Sequence, residues 1–115
     1  YVSREVTIPP GKFVDVHTDV AMELPYGTWG MLTGRSSTLR AKGLLVNQGV
    51  IDRGYRGELY IGCWNMTEHP VTVYKGDRIG QIIVLPNVTA EVGLAETDKL
   101  NPHPRGLNGF GSTGK

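Results

Sequence analysis

The chain has little cysteine: Cys63 is the only one among 115 residues. This excludes an intrachain disulfide and a metal site built from several thiolates. Its three histidines, at 17, 69 and 103, lack the spacing of a zinc site, so we expect them to be exposed or locally bonded. Long apolar runs are also missing, which predicts no membrane span, and without a visible secretory signal the chain is predicted to be cytoplasmic.

A marked excess of positive charge is absent as well. Twelve basic residues stand against 11 acidic ones, a formal net charge of +1. A general electrostatic grip on nucleic acid needs a larger basic excess, so no nucleic-acid partner is predicted. Any binding of anions must therefore depend on a few well-placed groups. The length suits one domain with a real core.

Glycine and proline are abundant, and they divide the chain into short apolar segments. Sixteen glycines and seven prolines punctuate segments such as "TWGMLTG" (28–34) and "LYIGCW" (59–64), which is typical of an all-β domain. In "KFVDVHTDVAMEL" (12–24) apolar and polar positions alternate as in a strand. "PVTVY" and "IGQIIVL", on either side of "KGD" (75–77), predict a hairpin. Only "SSTLRAKG" (36–43) and "AEVGLAETDKL" (90–100) could form a helical turn or two.

The first polar cluster is "GRSS", which ends a predicted strand. The guanidinium of Arg35 is a planar fork of donors that matches phosphate oxygens, and Ser36 and Ser37 add hydroxyl and backbone donors. Taken alone, this cluster is better explained as an ordinary polar turn before a helical turn.

The second cluster is "GVIDRGYRG" (49–57), predicted as a hairpin tip. Its glycines let the backbone approach a planar ligand closely. Tyr55 could then lie against that ligand while Asp52 orients and deprotonates a water. The alternative is a glycine-stabilised turn whose aspartate caps local amides. The residues alone leave both interpretations open.

The third and fourth clusters lie further along. In "GDRIGQ" (76–81), Gln81 falls inside an apolar strand, where a partly buried amide needs partners and a ligand could supply one. The tail, residues 105–115, is glycine-rich, and we interpret it as a flexible arm carrying Arg105 and Phe110, although composition alone favours a disordered end without a task. Its "GSTGK" lacks the flanking strand and helix of a phosphate loop. Together the four clusters supply what a nucleoside triphosphate needs: donors for phosphates, rings for base and sugar, and a carboxylate for water.

These four clusters resemble, in order and spacing, four of the five motifs of the trimeric dUTPases. "GRSS" is similar to the second motif, with Gly34 where proline is usual, and "GVIDRGYRGE" to the third. "GDRIGQ" is similar to the fourth, with Gly80 in place of alanine, and "RGLNGFGSTG" to the fifth.

The resemblance implies a distorted jelly-roll β-barrel of residues 1–104, a closing arm of residues 105–115, and a homotrimer with shared active sites. The implied reaction converts dUTP and water to dUMP and pyrophosphate, with Mg²⁺ bound through the substrate phosphates and no metal ligand in this chain. Asp52 would be the base, and Tyr55 would pack under the deoxyribose. The other implied substrate-binding residues are Asn47, Gly49, Val50 and Ile51 at the base; Arg35, Ser36, Ser37 and Gln81 at the phosphates, from a neighbouring subunit; and Arg105, Phe110, Gly111, Ser112 and Thr113, from a third subunit.

The family's first motif, "GxDL", has no counterpart before "EVTIPPGKF". Its aspartate helps to place the water shell of the metal, so we expect the sequence to be part of a longer protein.

Two other functions remain open. A dCTP deaminase shares the implied fold, but that family has a catalytic glutamate in the strand where this chain has Cys63 and Trp64. A nucleotide-binding regulatory protein with weak or absent hydrolysis would explain the missing motif, although it would not need Asp52 as a base.

Overall fold

The computed structural model describes residues 1–110. The elements are β1 (Val6–Ile8), β2 (Phe13–His17), β3 (Thr28–Gly34), α1 (Ser36–Lys42), β4 (Leu44–Val46), β5 (Gly49–Ile51), β6 (Tyr60–Asn65), β7 (Val71–Val73), β8 (Gly80–Pro86) and a 3₁₀ turn (Thr89–Glu91). The predicted all-β class is confirmed. Within this described part, no helix has the length and apolar character needed to cross a bilayer.

The strands form three antiparallel sheets: β1–β7, β2–β6–β4 and β5–β3–β8. Within residues 1–110 these sheets do not join into one closed barrel. The predicted hairpin of β7 and β8 is wrong, because β7 pairs with β1 and β8 pairs with β3. Only its turn is present, with the N–H of Asp77 donating to the carbonyl of Tyr74 at 2.9 Å.

The hydrophobic core lies between the sheets. Alternate residues of the predicted segment 59–64 are buried as expected: Leu59 is 5% exposed, Ile61 3% and Cys63 0%. The alternation predicted for 12–24 holds only to the end of β2, because Asp19 has a positive φ of 54° and turns the chain out of the strand. Burial of each large aliphatic side chain contributes roughly 1.5–3 kcal/mol.

Helix α1 confirms the prediction for residues 36–43. At its start, the N–H of Arg35 donates to the hydroxyl of Thr38 at 3.0 Å, and Gly43 ends it in the left-handed conformation at φ 69°. The second segment predicted as helical, 90–100, contains only the end of the 3₁₀ turn.

Candidate active site

The sheet β5–β3–β8 determines where the predicted site residues lie. Ile51 of β5 pairs with Gly30 of the central strand β3, so Asp52 comes next, at the Trp29 end of that strand. There it lines an open depression together with Trp29, Val50, Asn87 and Thr89.

The structure distinguishes between the two interpretations of Asp52. Its backbone carbonyl accepts the N–H of Tyr55 at 3.0 Å, which closes a tight turn. Its carboxylate is exposed and has no hydrogen-bond partner among the described residues, so it does not cap local amides there. An exposed, unengaged carboxylate at the edge of a depression is available to hold a water.

The loop after Asp52 was predicted to be the tip of a hairpin. This prediction is wrong, because β5 and β6 belong to different sheets. It is nevertheless a defined loop. The hydroxyl of Tyr55 donates to the carbonyl of Glu58 at 2.8 Å, and its ring covers Gly57, where a Cβ would stand 2.5 Å from the hydroxyl oxygen. Glycine at 57 therefore makes room for the ring.

The predicted phosphate-binding residues assemble at the other end of β3. Gly34 pairs with Gly80, and the side-chain amide of Gln81 donates to the carbonyl of Gly34 at 3.1 Å. The guanidinium of Arg35 donates to the carbonyl of Arg78 at 3.2 Å. The "GRSS" and "GDRIGQ" segments are thus brought together. The expectation that Gln81 is partly buried is wrong, since its side chain is exposed in the chain taken alone.

Ser36 and Ser37, at the start of α1, are both exposed and line an open depression with Arg40. The hydroxyls and the Arg35 guanidinium therefore face solvent on one side of the molecule, as anion-binding groups would.

Within one chain, Asp52 lies far from the predicted phosphate-binding residues around Arg35. Asp52 lies at the Trp29 end of β3, whereas Arg35 follows Gly34 at the opposite end. The strand between them is about 17 Å long at roughly 3.3 Å per residue. A ligand that touched both groups would need the second group from another copy.

Strand β5 carries the residues predicted to read a base. It is the outer strand of its sheet, paired with β3 on one side, so within the described residues its other edge is free to bond a ligand. Val50 is 70% exposed, while Gly49 and Ile51 are half-buried. Asn47 is exposed, and its N–H donates to the carbonyl of Gly62 at 2.7 Å.

The arm is exposed at every described residue from 91 to 110. Among residues 1–110, the guanidinium of Arg105 bonds only backbone of the arm itself, donating to the carbonyls of Asn108 at 3.0 Å and Gly109 at 3.1 Å. Phe110 is fully exposed. The predicted residues Gly111, Ser112 and Thr113 lie outside the described part of the chain.

Three residues near the candidate site were missed by the sequence reasoning. Trp29 and Asn87 line the depression beside Asp52, and Glu58 bonds the loop to the end of β2. Trp29 and Asn87 are revealed only by the strand register and the long-range contacts, whereas Glu58 ends the quoted segment "GVIDRGYRGE" but was not assigned a role there.

His17, Asp19 and Glu58 are the candidates for a metal site in the described part of the chain. Among the described residues, the only group of three metal-ligating side chains is His17, Asp19 and Glu58, within 4.8 Å of one another. Hydrogen bonds already explain this group, because one carboxylate oxygen of Glu58 accepts from the His17 ring at 3.0 Å and from two backbone N–H groups. Magnesium prefers oxygen ligands alone. Arg35 and Gln81 offer donors for phosphates rather than ligands for a cation.

Comparison with known proteins identifies the family of this chain. The family model described as dUTPase matches residues 1–114. The deoxyuridine 5'-triphosphate nucleotidohydrolase of Debaryomyces hansenii is 37% identical over 115 residues, covering 100% of this chain and 72% of that protein. The protein of the same name from Desulfitobacterium hafniense is 40% identical over 116 residues, covering 98% of this chain and 76% of the relative.

Solved structures are similar as well. The dUTPase of Staphylococcus bacteriophage 80alpha, solved with dUPNHPP, superposes with a TM-score of 0.84 at 29% identity, over 99% of this chain and 83% of that one. The dUTPase from Streptococcus mutans gives a TM-score of 0.70 at 31% identity, over 75% of this chain and 73% of that one.

Proposed function

This chain belongs to the dUTPase family, and we propose that it hydrolyses dUTP to dUMP and pyrophosphate with Asp52 as the general base. The observation that carries the proposal is the exposed, unengaged carboxylate of Asp52 at the edge of a depression. All curated relatives reported above bear the name of a dUTP nucleotidohydrolase.

The chemistry requires one proton transfer and one displacement. Asp52 takes a proton from a water, whose oxygen forms a bond to the α-phosphorus. The bond from that phosphorus to the bridging oxygen breaks, and pyrophosphate leaves. Such a step depends on an aligned nucleophile and on charge stabilisation more than on covalent catalysis.

Base and sugar bind on the Asp52 side. The backbone of Gly49, Val50 and Ile51 reads the edge of uracil, which the free edge of β5 supports. Asn47 lies near the base. Tyr55 packs under the deoxyribose and leaves no room for a 2′-hydroxyl.

The triphosphate is held by a neighbouring copy in a trimer of jelly-roll subunits. The separation of Asp52 from Arg35 along β3 supports this assignment. In it, Arg35, Ser36, Ser37 and Gln81 of one copy donate to phosphate oxygens opposite Asp52 of the next. Magnesium would be held by the phosphate oxygens and not by side chains of this chain, and it would neutralise part of the phosphate charge.

The arm closes from a third copy over the bound nucleotide. The full exposure of Phe110 on its own chain supports this role, because an exposed ring is accessible for stacking on a base. Arg105, Gly111, Ser112 and Thr113 complete the closure, which excludes bulk water.

Pyrophosphate release tests the proposal, measured with dUTP and, as controls, with UTP, dTTP and dCTP. We expect rapid release from dUTP alone. Release of ammonia from dCTP would support a deaminase instead, and tight binding of dUTP without pyrophosphate release would support the regulatory function. Neither alternative is favoured by the relatives.

A further inference from the structure

We propose that Glu58 is a positioning residue that fixes Tyr55, and with it the preference for deoxyribose, by joining the Asp52 loop to the end of β2. The inference rests on the proposed function, since it assigns a task to Glu58 within the same site.

The side chain of Glu58 attaches the loop to the segment that follows β2. One carboxylate oxygen accepts from the N–H of Asp19 at 3.0 Å and the N–H of Thr18 at 3.2 Å, and it also bonds the ring nitrogen of His17 at 3.0 Å. The side chain is 24% exposed, so these charge-assisted bonds are partly shielded from water.

The backbone next to Glu58 strengthens this attachment. The hydroxyl of Thr18 donates to the carbonyl of Leu59 at 2.6 Å, and the N–H of Leu59 donates to the carbonyl of Val20 at 2.8 Å. Residues 58–59 are therefore fixed against residues 17–20. Their position does not depend on the loop that precedes them.

Tyr55 is hydrogen-bonded to this fixed segment, residues 58–59. Its hydroxyl donates to the backbone carbonyl of Glu58 at 2.8 Å. Glu58 therefore makes two kinds of contact. Its side chain binds the segment after β2, and its backbone carbonyl accepts from the hydroxyl of Tyr55, whose ring would meet the sugar.

The contacts that Arg56 makes in the loop after Asp52 are weaker than those of Glu58. Arg56 pairs with Glu23 at 3.0 Å, but these side chains are 53% and 79% exposed, and exposed ion pairs contribute little. Arg56 also donates to the carbonyl of Arg53, which lies within the loop itself. Neither contact restrains the hydroxyl of Tyr55.

The test compares Glu58→Ala, Glu58→Gln and the control Glu68→Ala, an exposed glutamate on another turn. For each variant, kcat and KM are measured with dUTP and with UTP. Because the carboxylate of Glu58 makes the hydrogen bonds that fix residues 58–59, we expect Glu58→Ala to lower the preference for dUTP over UTP by about tenfold or more. The loss should fall mainly on KM for dUTP. Glu58→Gln should recover most of it, because its amide oxygen still accepts from the two backbone N–H groups.

A second comparison separates positioning from general loss of structure. Tyr55→Phe removes the hydroxyl and keeps the ring. If Glu58 acts through Tyr55, the preference for dUTP in the double variant should be no lower than in the worse single variant. Should Glu58→Ala fail to fold, Glu58→Met, which keeps the length of the side chain but has no oxygen acceptor, is combined with Tyr55→Phe in the same comparison.

The outcomes are distinguishable. A wild-type protein that hydrolyses dUTP, together with a folded Glu58→Ala variant of unchanged sugar preference, would overturn this inference alone. Strictly additive losses of preference in the double variant would also overturn it. A wild-type protein without dUTP hydrolysis would overturn the proposed function itself.

Discussion

The ring of Tyr55 lies over Gly57, where an added Cβ would stand 2.5 Å from the tyrosine hydroxyl oxygen and 2.7 Å from its Cζ. The two residues are thus matched in shape. The atoms in conflict belong to the far end of one side chain, so a larger residue at 57 would move the ring rather than the backbone.

Gly57→Ala is therefore expected to impair sugar discrimination more than stability. We predict that the variant unfolds within a few degrees of the wild type, while its ratio of kcat/KM for dUTP to that for UTP falls severalfold. Thermal unfolding and steady-state kinetics measure the two effects. The matched control is Gly54→Ala in the same loop, where an added Cβ meets nothing within 4 Å. An equal change of ratio in both variants would count against the role of the ring.

The Glu58 carboxylate predicts a pH dependence of stability. The N–H of Asp19 is the main cause that lowers the pKa of Glu58 below the ordinary value of 4.5, against an opposing effect of burial. A lowered carboxyl pKa means that its contribution is complete above pH 4.5 and is lost as the pH falls through the folded-state value.

Glu58→Gln lacks this ionisation. We therefore expect the difference in melting temperature between wild type and Glu58→Gln to be largest near neutral pH and to shrink below pH 4.5. Unfolding curves between pH 7 and pH 3 provide the measurement. The neighbouring groups Arg4, His17, Asp19 and Tyr60 stay in both proteins, but the contact of His17 with the Glu58 carboxylate and the effect of that charge on Tyr60 are lost in Glu58→Gln and form part of the measured difference. A constant difference across this range would contradict the assignment.

Asn65 is the buried polar side chain on which stability depends most clearly. It is 0% exposed. Its amide nitrogen donates to the carbonyls of Ile8 and His69, and its oxygen accepts from the N–H and the hydroxyl of Thr67.

Asn65→Leu removes the acceptor of the Thr67 N–H and the amide donor to the Ile8 carbonyl, whereas the Thr67 hydroxyl can still donate to the carbonyl of His69. Each unsatisfied buried group costs about 1–3 kcal/mol, so we expect a loss of at least about 2 kcal/mol in the free energy of unfolding. Denaturant titration measures the loss. The control is Asn101→Leu, because Asn101 is exposed. A loss as small as that of the control would show that the network is dispensable.

Deleting residues 105–115 tests the arm. Because every described residue from 91 to 110 is exposed, removal should leave the fold and the assembly unchanged while turnover falls at least about a hundredfold through loss of closure and alignment. Sedimentation and pyrophosphate release are measured on the same preparation. Dissociation of the assembly would instead mean that the arm has a structural role.

The sequence predicted the local elements better than their arrangement. Strand β3 coincides with "TWGMLTG", and α1 lies within "SSTLRAKG", since both depend on local patterns and caps. The pairing of β8 with β3 instead of β7 depends on contacts far apart in the chain, which local alternation does not contain.

The same limit applies to the candidate site. Asp52 and Arg35 were recognisable as chemical groups from their motifs, but their separation along β3 is visible only from the strand register. Glu58 meets Thr18 and Asp19 across about 40 residues of sequence. Glu58 ends the quoted segment "GVIDRGYRGE", but its bonds to Thr18 and Asp19 follow from tertiary packing, which the segment alone does not indicate.

The most direct measurement compares binding and turnover of dUTP in Asp52→Asn. Asparagine keeps the size of the side chain but cannot take a proton. We predict that calorimetry finds a dissociation constant for dUTP close to that of the wild type, while kcat falls by about 10²–10⁴-fold. A variant that releases pyrophosphate at the wild-type rate would contradict the assignment of Asp52 as the base.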